Sequence, residues 1–211
     1  MIYVYYTKVV KELPIQTYKQ LLNKIPKKLQ ERNLRFMRWQ DRHTNLFGKI
    51  LLIEALLKMG IQHRSLENLY YNQYGRPFID TNLDFNISHS HDMVVCAIGR
   101  NIRLGIDIEK IRFIDFENFQ SAFSEDQLNQ IKKSNDPKQK FFLYWTIKES
   151  VVKADGRGFH APLKEIQVTN NTATIDNNFW NLEILQINKE YSVCLASDSK
   201  PNSIKLINLN F

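Results

Sequence analysis

Cysteine is scarce in this chain. The two present among 211 residues, Cys96 and Cys194, sit in apolar, strand-like runs without metal-ligand spacing, so they read as reduced, buried thiols rather than as a disulfide or a zinc site. Long hydrophobic runs are missing too. Nothing approaches the roughly 20 apolar residues that a membrane-spanning helix needs, and the opening MIYVYYTKVV lacks the charged-then-apolar layout of a signal peptide. These two absences predict a soluble cytoplasmic protein with no membrane partner. Positive charge is plentiful but scattered: no long basic tract, zinc-finger spacing or RNA-binding sheet signature occurs, which argues against nucleic acid as the partner.

What the chain does have is apolar material and net positive charge. A hydrophobic content of 43% suffices for one large domain or for two lobes of about 100 residues each. The 29 Lys and Arg against 22 Asp and Glu give a net charge of +7, so the surface attracts anions, among them phosphorylated small molecules and acidic proteins.

The patterning predicts an opening strand over Ile2 to Val10, then a helix with a basic face from Leu21 to Trp39 that carries Lys24, Lys27, Lys28, Arg32, Arg35 and Arg38. Leu46, Ile50, Ile53 and Leu57 recur at helical spacing up to Gly60. Tyr70 to Ile79 holds a turn at Tyr74-Gly75-Arg76-Pro77, and Asp84 to Ser90 leads into a strand from Met93 to Ile98. Beyond a lobe boundary near Gly99 to Arg103 come a strand at Leu104 to Ile108, short helical stretches over Phe116 to Ile131, and a long helix over Lys138 to Ala154 bounded by Pro137 and Gly156. Three or four strands follow, over Ile166 to Ile175, Trp180 to Ile187, Tyr191 to Ala196 and Ile204 to Leu209. Met93-Val94-Val95-Cys96-Ala97 echoes Tyr191-Ser192-Val193-Cys194-Leu195, as two similar α/β lobes would require, although two ordinary buried strands read alike. The expected fold is α+β, with lobes 1–100 and 101–211 and a ligand cleft between them.

In Gly105-Ile106-Asp107-Ile108-Glu109 the strand period puts both carboxylates on one face and both isoleucines on the other. The long helix adds Glu149 and, one turn on, Lys153. Magnesium takes hard oxygen ligands, keeps several waters and commonly joins a few carboxylates to substrate phosphates. Read by spacing alone, the same residues also suit a solvated strand end and an ordinary helix ion pair. Phe85-Asn86-Ile87-Ser88-His89-Ser90 offers backbone N–H groups, hydroxyls and an imidazole to a phosphate. Tyr74-Gly75-Arg76-Pro77 lets backbone approach a flat ligand, with Arg76 beside it. His89 is by itself equally a satisfied structural histidine.

Together with Trp145-Thr146-Ile147-Lys148-Glu149-Ser150-Val151-Val152-Lys153, these segments resemble in order and spacing the Sfp-type 4′-phosphopantetheinyl transferases. The resemblance runs from about Arg32 to Gly158. It implies a pseudo-dimer of two similar lobes, acting as a monomer, that transfers the phosphopantetheine arm of coenzyme A to a serine of an apo acyl- or peptidyl-carrier protein. By position, Asp107, Glu109 and Glu149 match the magnesium ligands and Lys153 the lysine that reaches the pyrophosphate. Glu149 is the candidate base. Gly75, Arg76 and Pro77 match the segment along the adenine, Ser88 and His89 residues at the nucleotide, and Arg32 a basic residue for its 3′-phosphate. Asn45 stands where the family often has a hydroxyl residue, and Gln127 where it usually has a glutamate. The rival readings are a non-catalytic coenzyme A or carrier-binding module and another magnesium-dependent phosphotransferase or nuclease.

Overall fold

Ile2–Lys8 forms the first strand, β1, with both faces covered: Val4 and Tyr5 are adjacent and both buried. A single basic helix over Leu21 to Trp39 does not form. The computed structural model, which describes residues 1–61, 63–79 and 82–211 with the side chains of 63–65 and 117 excepted, divides that segment among α1 (Ile15–Leu22), α2 (Lys27–Leu34) and the start of α3 (Trp39–Lys58). Pro26 is the physical reason: at φ −56° and ψ 148° it leaves the helical conformation and caps α2, and it has no N–H with which to continue α1. In α3, Leu46, Ile50 and Ile53 are buried as their spacing predicts, whereas Leu57 stays exposed near the helix end. Gly60, at φ +81°, follows that helix in the left-handed conformation glycine adopts most easily.

A short ribbon, β2 (Leu69–Tyr71) with β3 (Pro77–Ile79), precedes β4 (Leu83–Ser90) and β5 (Met93–Arg100). The second half runs through β6 (Leu104–Lys110), a 3-10 segment at Phe116–Ala122, α4 (Glu125–Lys132) and α5 (Pro137–Asp155). It ends in β7 (Gln167–Thr169), β8 (Thr172–Ile175), β9 (Asn178–Ile184), β10 (Tyr191–Ser197) and β11 (Ile204–Asn208). The strand expected over Ile166 to Ile175 is thus a hairpin, turned at Asn170 with φ 52°. Of the apolar residues after β6, Phe123 is core and Phe119 packs against it, while Phe113 is 91% exposed.

One sheet has the order β11-β1-β5-β4 and another β6-β10-β9-β8-β7. The echoing strands β5 and β10 are interior strands of these sheets, and each carries one of the long helices: α3 lies on β5 and α5 on β10. Strand alternation explains the layering. Tyr5, Val94 and Cys96 face the α3 side, while Val4, Val95 and Ala97 face Ile106, Val193 and Leu195 of the other sheet; Cys194 and Ala196 turn to the α5 side. Each fully buried Val, Leu or Ile contributes about 1.5–3 kcal/mol, so the intersheet core binds the two α+β lobes firmly. Both cysteines are buried and free, and burial pushes each thiol up to about 12.

The sheet changes between β5 and β6, but a division at residue 100 does not describe the tail. β11 crosses back and pairs in parallel with β1, Ile2 opposite Ile204 through Tyr6 opposite Asn208. The first lobe therefore contains the C-terminal strand. Among the described residues no helix is long and apolar enough to cross a membrane.

Candidate active site

The lobes meet where β4 lies beside β6, and side chains take the place of a backbone ladder. Asp84 Oδ2 accepts from Leu104 N–H at 2.9 Å, Asn86 Oδ1 from Ile106 N–H at 3.0 Å and Ser90 Oγ from Lys110 N–H at 3.1 Å. The polar residues recur every second position of β4 because they share one face, and each serves an otherwise open donor of an edge strand. Ser90 belongs to the segment read as offering hydroxyls to a phosphate, whereas Asp84 was given no role and neither was expected to serve the backbone of β6. Their period-two polarity inside a buried strand was the available signal.

Gly105 brings β6 against α5. A Cβ there would lie 2.2 Å from the Ser150 carbonyl oxygen and 2.3 Å from Ala154 N, both helix backbone, so only glycine permits this approach. Asp107, next on the same face, therefore meets the far end of α5. Its Oδ1 accepts from Lys153 Nζ at 2.5 Å and from Ser88 Oγ at 2.8 Å, while Lys153 also donates to Ser88 Oγ at 2.9 Å. The Asp107 side chain is 4% exposed.

Glu109 accepts from Ser90 Oγ at 2.7 Å. Burial raises its pKa, the Ser90 bond opposes that rise, the Asp107 charge adds to it, and Lys153 opposes it. Glu149 is also raised, by burial first and then by Asp107, against Lys153. All three acids thus share one electrostatic neighbourhood in which Lys153 is a cation. Among the described residues they are not gathered as a preformed cage of three metal-binding side chains. The donor chemistry nevertheless suits magnesium: Asp107 Oδ2 is buried with no hydrogen-bond partner, and magnesium draws its remaining ligands from water and substrate.

A cleft of about 270 Å³ opens beside this group, walled by Tyr74 to Pro77 from the first lobe and by Glu149, Val152, Lys153 and Leu163 from the second. Gly75 turns at φ +82°, and Asn72 Oδ1 holds the turn by accepting from the N–H groups of Tyr74 and Arg76 at 2.9 and 2.8 Å. The Arg76 guanidinium is directed into the seam. Its Nε donates to the Lys153 carbonyl at 2.9 Å, and its Nη2 donates to Asp84 at 2.7 Å and the Leu104 carbonyl at 2.9 Å. What the Arg76 segment offers a flat ligand is therefore backbone and aliphatic stem.

His89 stands on the opposite face of β4 from Ser88, toward α3, beside a second depression lined also by Arg38, Asp41 and Thr44. The desolvating surroundings lower its pKa, as does Lys153, while Asp41 acts in the other direction. Arg32 is exposed on α2 and is not hydrogen-bonded to His89. Asn45 accepts from Asn33 Nδ2 at 3.0 Å, an internal role. Gln127 completes the N-terminal capping box of α4 with Ser124 and donates from Nε2 to the Ile166 carbonyl at 3.0 Å. Lys148 Nζ reaches the same carbonyl at 3.3 Å and that of Leu163 at 2.6 Å. Gln127 and Lys148 together hold the loop that supplies the Leu163 wall.

Residues 103–199 match the 4′-phosphopantetheinyl transferase superfamily, and residues 14–100 match the description "4′-phosphopantetheinyl transferase, N-terminal". The 4′-phosphopantetheinyl transferase gsp of Aneurinibacillus migulanus is 34% identical over 199 residues, covering 92% of this chain and 80% of that protein. The 4′-phosphopantetheinyl transferase Sfp of Bacillus subtilis (strain 168) is 32% identical over 142 residues, 65% of this chain and 63% of the relative. HetI, the 4′-phosphopantetheinyl transferase of a Nostoc strain, is 36% identical over 107 residues, covering 46% and 45%.

Proposed function

Because the chain belongs to the 4′-phosphopantetheinyl transferase superfamily, we propose that it transfers the 4′-phosphopantetheine arm of coenzyme A to a serine hydroxyl of an apo acyl- or peptidyl-carrier protein, releasing 3′,5′-ADP. The observation that carries this reading is the Lys153–Asp107–Ser88 group with its unpartnered Asp107 Oδ2, set beside a cleft that both lobes wall.

In this reading Asp107, Glu109 and Glu149 hold magnesium, which when bound lowers the negative charge of the pyrophosphate at the reacting phosphorus. Lys153 turns its ammonium from Ser88 toward a pyrophosphate oxygen and adds positive charge there. Glu149 receives the proton of the carrier serine as the general base. The Gly75-Arg76-Pro77 backbone runs along the adenine, Ser88 fixes the orientation of Asp107 and Lys153 next to the nucleotide, and His89 and Arg32 serve its 3′-phosphate. The first lobe thus provides the nucleotide side and the second the acids and the lysine.

One chain supplies both walls of the cleft, which supports a monomer. The net charge of +7 suits an acidic carrier protein as partner and steers it at low salt; a cytoplasmic location accords with that partner. The test is intact-protein mass spectrometry of an apo carrier with this protein, coenzyme A and magnesium, beside EDTA and Glu149→Ala controls. The carrier should gain one phosphopantetheine only in the complete wild-type reaction. Unmodified carriers under conditions where coenzyme A demonstrably binds would leave a binding module in its place.

A further inference from the structure

Lys49 is a half-buried ammonium in a helix whose neighbouring positions Leu46, Phe47, Ile50 and Leu51 are core. It follows Gly48, where a Cβ would lie 2.9 Å from Cγ2 of Ile87 and 3.8 Å from Cγ1 of Val94. α3 therefore runs close over β4 at this level. Phe85 and Ile87 point from β4 into the α3 core, and His89 is the next residue on that side by strand alternation. One turn earlier on α3, Asn45 is bonded to Asn33, the neighbour of Arg32 on α2. Arg32 on α2, Lys49 on α3 and His89 on β4 thus stand on elements that pack against one another.

The electrostatics agree with this placement. Burial and then Arg32 lower the Lys49 pKa, with Cys96 of β5 acting the other way. Burial first, then Lys153 and, more weakly, Lys49 lower that of His89, while Asp41 and Asp107 raise it. Among the described residues no carboxylate lies within ion-pair distance of Lys49. Holding an ammonium partly out of water without a counter-ion is costly, and the cost rises with two further bases nearby. A bound anion removes both penalties. A phosphomonoester suits best, since at neutral pH it carries nearly two charges and offers three acceptor oxygens.

We propose that Lys49 is a specificity-determining residue of the coenzyme A site, completing with Arg32 and His89 a socket for the ribose 3′-phosphate, the group that separates coenzyme A from dephospho-coenzyme A. The inference rests on the transferase reading above and adds a residue that the resemblance does not assign.

The test compares calorimetric binding of 3′,5′-ADP and of 5′-AMP to wild type, Lys49→Met, Lys49→Gln and Lys49→Arg, beside KM and kcat for coenzyme A and dephospho-coenzyme A. Wild type should prefer 3′,5′-ADP. Lys49→Met and Lys49→Gln should weaken it by about 10–100-fold while leaving 5′-AMP unchanged. They should raise KM for coenzyme A alone at nearly constant kcat, and Lys49→Arg should recover most of the loss. Equal weakening of both nucleotides, or a preference that survives both neutral variants, overturns the role of Lys49 while leaving the transferase reading intact. A wild type that binds neither nucleotide and modifies no carrier overturns both. Lys49→Met should keep or gain thermal stability without ligand; if it loses the fold, the Lys49→Gln pair of affinities decides.

Discussion

Gly105→Ala tests whether the approach of β6 to α5 builds the site. The added Cβ would lie 2.2 and 2.3 Å from helix backbone atoms, which cannot rotate away as a side chain can. Restoring ordinary contact requires the strand and helix to separate by about 1 Å, an overpacking that costs about 1–3 kcal/mol. For a chain of this size each kcal/mol lowers Tm by about 2–4 °C. The catalytic effect should be larger than the stability effect suggests, because Asp107 is two residues further along β6 and bonded at 2.5 Å to Lys153 on that helix. A misplacement of about 1 Å costs about 100-fold in rate. Scanning calorimetry and initial rates of carrier modification, on the same preparation, read the two effects. A variant with wild-type Tm and kcat refutes the packing argument; a lowered Tm with wild-type kcat refutes the claim that this approach positions the site.

Lys148 is fully buried, and desolvation pushes its pKa from 10.5 down to about 7. Between those values the unfolded chain binds more protons than the native one. Stability therefore falls as pH drops from about 10 to 7, and the whole penalty is present below 7. Linkage over that shift limits it to about 5 kcal/mol, and the Leu163 and Ile166 carbonyls and the Phe123 ring, which favour the ammonium, work against it. Urea unfolding at both pH values should show this slope flattened in Lys148→Met, and an identical slope in the two proteins rules it out. Lys153→Ala should destabilise by about 3 kcal/mol, since it leaves the buried Asp107 carboxylate without its cation; Lys153→Ala/Asp107→Ala should recover much of that, and additive losses in a double-mutant cycle would exclude coupling. Arg76→Lys and Arg76→Ala should destabilise to a similar degree, by about 2–3 kcal/mol, because a point charge cannot reproduce the guanidinium fork across Lys153, Asp84 and Leu104. A lysine variant as stable as wild type in thermal melts would show that the fork is dispensable.

Part of the candidate site's layout was legible in the chain because periodicity is a local property. The alternation of Gly105 to Glu109 sufficed to place Asp107 and Glu109 on one face with Ile106 and Ile108 opposite, and the structure has both isoleucines fully buried in the intersheet core. Pro137 and Gly156 likewise marked the long helix, since one cannot continue a preceding helix and the other readily adopts the left-handed cap, here at φ +86°. Pro26 carried equally local information against one helix from Leu21 to Trp39, and the spacing of basic residues obscured it. Periodicity names a face but not what lies against it. The return of β11 to β1, the inward turn of Arg76 and the meeting of Gln127 and Lys148 at one carbonyl depend on contacts between distant segments, so the tertiary structure alone decided them.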